Sequence, residues 1–86
     1  MHRDFRDNLV RIYSLMEAEN HNLKADDLVE FFKDKEICNI SEKEMENQLK
    51  YLNAENYLAK ISDVNYEITS DGKCKINEVK RAIKRI

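Results

Sequence analysis

Tyr66-Glu67-Ile68-Thr69-Ser70-Asp71-Gly72 constrains the fold more than any other stretch of this chain. A short run of strand formers ends at Thr69, a good helix-capping residue, and the chain turns at once into a helical pattern. Ahead of it, residues 41–55 read as a helix that leads into Tyr57-Leu58-Ala59-Lys60-Ile61, a second short strand. Helix, strand, tight turn, strand, helix leaves few arrangements. A hairpin must lie beside one helix and be continued by the next.

The 86 residues suffice for one domain around one core. A charged fraction of 37% beside 42% hydrophobic is too apolar for disorder. No Pro and a single Gly predict helices joined by short connections. Arg3, Asp4, Arg6 and Asp7 interrupt any signal-peptide pattern, and no run reaches the length of a membrane span, so a cytoplasmic protein without a membrane partner is expected. Cys38 and Cys74 have neither disulfide-framework density nor metal spacing, and His2 and His21 lack partners at ligand spacing. With no nucleophile–base arrangement and no Gly-rich phosphate loop, the expectation is a non-enzyme without metal or cofactor.

The net charge of −2 conceals an asymmetry: residues 17–71 carry −8 and residues 72–86 carry +5. A basic end on an acidic body is the electrostatic pointer to a partner.

Along the chain, Phe5, Leu9, Ile12 and Met16 fall on one helical face, with Tyr13 beside it. Val10 lies off that face and is expected to be exposed. Asn20-His21-Asn22 ends the helix, and Leu23-Lys24 is a candidate edge strand. Asp26 and Asp27 suit the positive end of a second helix, whose buried stripe is Leu28, Val29, Phe31 and Phe32 and which ends near Lys35. Ile37-Cys38-Asn39-Ile40 makes a turn. Ser41 with Glu44 is a capping box opening the third helix. In it Met45, Leu49 and Leu52 face the core, and Lys43, Asn47 and Lys50 face outward. The expected strands are 57–61 and 66–69, joined by Ser62-Asp63-Val64-Asn65, and Thr69 caps a last helix over about 70–85. The expected core holds Leu9, Ile12, Leu28, Phe32, Met45, Leu49, Leu52 and Ile68.

SEKEMENQLKYLNAENYL and YEITSDGK resemble the winged helix-turn-helix superfamily, and within it small regulators of the MarR and PadR type. The first string is similar to a recognition helix running into a wing, the second to a strand-Thr-x-x-Gly transition. Asn56 stands where the pattern usually has Gly, and Asn tolerates the left-handed backbone required there. The resemblance covers residues 5–86 and implies a mainly α fold of about four helices with a β-hairpin wing. It further implies a transcriptional or mobile-element regulator, with residues 42–55 as the recognition helix on double-stranded DNA and a homodimer formed through the terminal helices.

On that implication Lys43, Asn47 and Lys50 address base edges, since Asn pairs with adenine and Lys with guanine acceptors. Lys73, Lys80, Arg81 and Lys84, with Arg3 and Arg6, flank as phosphate contacts. The plain alternatives are a solvated helix face and cations that complement a helix C-terminus. Ile76, Val79, Ile83 and Ile86 form either a dimer seam, to which Val10 is a candidate addition, or packing on the first helix. A second reading is an adaptor that binds a basic protein partner and no DNA. It is favoured by four Glu against two Lys in residues 41–55 and by an Asp63 wing tip without cations.

Overall fold

The computed structural model describes the backbone of residues 3–84 and the side chains of residues 5–82. The elements are α1 (Arg3–Ala18), α2 (Ala25–Asp34), α3 (Glu42–Ala54), β1 (Leu58–Lys60), β2 (Tyr66–Ile68) and α4 (Ser70–Lys84). This is a winged helix-turn-helix: α2 and α3 pack on each other, and the antiparallel β1–β2 hairpin is the wing. Strand partners are Leu58 with Ile68, Ala59 with Glu67 and Lys60 with Tyr66. Leu23 adds one antiparallel bridge to Tyr66, through reciprocal bonds of 2.8 and 3.0 Å. No described helix is long and apolar enough to cross a membrane.

The ends of α3 follow from local chemistry. Ser41 Oγ accepts from the Glu44 amide at 3.1 Å, and the Glu44 side chain returns to the Ser41 amide, closing the capping box. At the other end Tyr57 N bonds Leu52 O and Asn56 N bonds Asn53 O, with Asn56 at φ 65°. That is a Schellman ending. The same pair of bonds closes α2, from Ile37 N to Phe32 O and from Glu36 N to Lys33 O, and puts Glu36 at φ 55°.

Thr69 joins wing to α4. Its hydroxyl donates to Asn56 O at 2.6 Å and accepts from the Gly72 amide at 3.0 Å. The glycine is required by proximity: a Cβ there would stand 2.2 Å from Tyr57 O and 2.7 Å from the Ile68 side chain.

Leu28, Phe32, Met45, Leu49 and Leu52 are buried as expected, joined by Leu15, Leu23, Leu58, Tyr66 and Ile76. Each such side chain contributes about 1.5–3 kcal/mol when fully enclosed. Ile12 and Ile68 pack against this core only in part. α1 departs from expectation. Val10, expected outside, is 0% exposed, whereas Phe5 is 59% exposed and Leu9 is half-buried. The buried residues of α1 are Val10, Ser14, Leu15 and Ala18, and Val10, Ser14 and Ala18 lie on the far side of the helix from Phe5. α1 lies against α3, β2 and α4 together, and small residues let its backbone come close to them. Ile12 and Met16 of the expected face, with Tyr13 beside it, pack against the core in part, so the spacing of large side chains locates a flank of the buried side and misses its centre.

Candidate nucleic-acid interface

α3 has three faces with different fates. Met45, Leu49 and Leu52 point into the core. Glu44, Gln48 and Tyr51 are held by α1. Arg6 bridges Glu44 Oε2 at 3.1 Å and Asn39 O at 2.7 Å, and Gln48 Nε2 donates to Asp7 Oδ1 at 3.1 Å. Arg11 Nε donates to Gln48 Oε1 at 2.8 Å, and its guanidinium lies 3.7 Å from the Tyr51 ring centroid. The Arg6 bond, with that from the Ser41 amide, holds the Glu44 carboxyl below the usual carboxylate range. The third face is left for solvent: Lys43, Asn47 and Lys50 are all exposed.

Beside that face, a cleft of about 360 Å³ opens between α3, the start of α2 and the wing. Lys24 from the N-cap of α2, Lys50 from α3 and Lys60 from β1 all line it. None of these three, nor Lys43, is in an ion pair or a side-chain hydrogen bond among the described residues. Asp26, Glu42, Glu46 and Asp63 line the same cleft. The site is therefore a field of mixed charge, and any anion bound there meets repulsion as well as attraction. Asp26 and Asp27 already complement the positive end of α2.

The other sequence-derived candidates are placed elsewhere. Lys80 donates to Glu19 Oε1 at 2.6 Å and ties α4 to the turn that follows α1. Lys73 and Arg81 are exposed on α4, which packs chiefly on α1 and β2. Arg6 is bound to α3 and Asn39 O, so its guanidinium is engaged within the chain. Ile76 is fully enclosed by its own chain and Val79 half-enclosed, so this part of the apolar stripe is intramolecular packing. Val10 is likewise closed to any partner. Ile86 and the side chains of Arg3, Ile83 and Lys84 lie outside the described residues.

A second hollow, also about 360 Å³, lies between α1, α3 and α4. Ile12, Tyr51, Tyr57 and Val79 wall it over buried Leu15, Leu52 and Ile76, with Asn8, Arg11 and Lys75 completing the lining. Among the described residues no acid lines it. Cys38, in the turn before α3, has its thiol pushed up by burial, and no described group of His, Cys, Asp and Glu is arranged to hold a metal.

Sequence reasoning found the exposed α3 stripe and missed Lys24 and Lys60. Their signals were present: Lys24 directly precedes the acidic first turn of α2, and Lys60 takes the outward phase of an alternating strand. No protein-family model matches the chain, and no curated protein matches it.

Proposed function

We propose that the chain is a duplex-DNA-binding regulator that sets α3 against the major groove. One observation carries the reading: Lys24, Lys43, Lys50 and Lys60 surround the outward face of α3 from three elements and have no internal partner among the described residues. By contrast Arg6 and Lys80 are spent on ion pairs within the chain. Asn47, between Lys43 and Lys50, is the base-reading candidate, and Lys24 and Lys60 reach for phosphates on either side. The reading extends to transcriptional control in the cytoplasm by homodimers, which would present two α3 helices to successive turns of the duplex.

The four acids of the cleft set the strength. Few phosphates are neutralised, so non-specific affinity falls at about 10⁻⁴–10⁻⁶ M with a shallow salt slope. Fluorescence anisotropy on labelled duplexes at low salt tests this. Wild type is expected to bind, and Lys43→Glu combined with Lys50→Glu is expected to abolish binding with the melting temperature unchanged. Equal binding by the double variant contradicts the reading.

A second reading, a protein-binding adaptor, has one observation in its favour. The wing tip presents Ile61 and Val64, 47% and 59% exposed, around Asp63. A wing of that kind suits an apolar surface better than phosphate. Absence of duplex binding at low salt, with wild type folded, moves the conclusion to this reading.

A further inference from the structure

The wing tip is an acidic apolar knob with a defined shape. Ile61 N bonds Asn65 O at 3.0 Å, and Ser62 Oγ accepts from the Asn65 amide at 3.2 Å and from its side chain at 3.0 Å. The turn therefore holds Ile61, Asp63 and Val64 out in solvent without a large ordering cost on binding. Large exposed aliphatic side chains gathered on so short a turn ask for a cover.

The hollow between α1, α3 and α4 has the opposite character. Ile12, Tyr51, Tyr57 and Val79 give it apolar walls, and among the described residues its charged lining is Arg11 and Lys75. Arg11 is anchored through Nε to Gln48, which fixes its guanidinium over Tyr51. On a domain whose residues 17–71 carry −8, a groove whose described lining holds two cations and no acid is a local exception.

We infer that the wing tip of one copy of this chain seats in the α1–α3–α4 groove of a second copy. Ile61 and Val64 meet the apolar walls, and Asp63 pairs with Arg11 and Lys75. Knob and groove are separate patches of one surface, so the contact is isologous and closed where two copies engage reciprocally, and heterologous, extending head to tail, where they do not. The inference stands apart from DNA binding, because a chain that never meets a duplex assembles in the same way.

Sedimentation of the full chain at low salt, from about 10 µM to about 1 mM, spans the range of weak, small-area contacts. The mass is expected to rise with concentration above the 10.3 kDa monomer. Asp63→Lys sets a cation against two others, and Lys75→Asp sets an acid against Asp63; each is expected to weaken association about tenfold or more. Combined in one chain the two changes restore the pairing between positions 63 and 75 while Arg11 still opposes Asp63→Lys, so part of the association returns and the combined variant is stronger than either single one. Val64→Asp abolishes it by placing a carboxylate on the apolar wall. All three positions are exposed, so unchanged melting curves certify the fold. A monomer throughout, undiminished association of the single variants, or a combined variant no stronger than either alone overturns the inference.

Discussion

The two hollows beside α3 have the same volume and opposite chemistry. On the wing side three lysines and four acids face one another with no ion pair formed among the described residues. On the α1 side apolar walls carry two cations and, among the described residues, no acid. Adjacent residues of one helix feed both, Leu49 and Lys50 the first, Tyr51 and Leu52 the second. The difference comes from α1. Its Arg6, Asp7 and Arg11 bind the Glu44–Gln48–Tyr51 face and fix α3 about its axis, which leaves Lys43, Asn47 and Lys50 uncommitted. How many charges a surface holds matters less than which of them are already engaged.

The largest effect that tests this division is on stability. Leu49→Ala and Leu52→Ala, one under each hollow, are each expected to cost about 2–5 kcal/mol. Lys50→Ala, between them in sequence, should stay within about 0.5 kcal/mol of wild type. Thermal or urea melts decide it, and a Leu49→Ala variant that melts like wild type would show that α3 is turned the wrong way.

Next comes Gly72→Ala. The added Cβ meets the Tyr57 carbonyl, and displacing Tyr57 moves one wall of the α1-side groove. A loss of about 1–3 kcal/mol is expected, together with weaker self-association and unaltered DNA affinity. Altered DNA affinity at unchanged association would reverse the assignment of the two hollows.

Ser14→Ala works in the other direction. Ser14 Oγ is buried on the core face of α1 with no hydrogen-bond partner among the described residues. Removing an unsatisfied hydroxyl is expected to add about 1 kcal/mol, a rise of roughly 4–8 °C in melting temperature. An unchanged or lower melting temperature would contradict the close α1 packing on which the division rests.

The smallest effect is on pH. His21 is raised from the usual 6.5 by its bond to Asn22 O, then by that to Glu17. Since the folded value lies above the unfolded one, the stabilisation is full below 6.5 and is lost as pH rises through the folded value. The side chain is mostly exposed, so the change in melting temperature is slight. His21→Gln should remove that slope; a slope that survives belongs to another group.

Much of this fold was legible in the sequence. Ser41 and Glu44 announce the capping box, Thr69 the start of α4 and Asn56 the left-handed end of α3, because each is a local device read from neighbouring residues. Glu36 at φ 55° was not legible, since Glu has no preference for that backbone and is held there by the helix ending around it. Nor was the buried side of α1: the choice of Val10, Ser14 and Ala18 over Phe5 depends on how near three other elements approach. Of the candidate interface, the stripe Lys43, Asn47 and Lys50 followed from helical spacing alone. The convergence of Lys24 and Lys60 on it needs the tertiary fold, as does the commitment of Lys80 to Glu19.

The account is tested most directly by adding a short duplex to the isotopically labelled chain and following each backbone amide by NMR at low salt. Dilute protein, below the onset of self-association, keeps the two surfaces separate. Shifts are expected at residues 42–51, at Lys24 and Ala25, and at Lys60, with Lys75 and Val79 on the far groove unmoved. Shifts confined to the α1–α3–α4 groove, or none at all, would contradict the claim that the outward face of α3 is the DNA-binding surface.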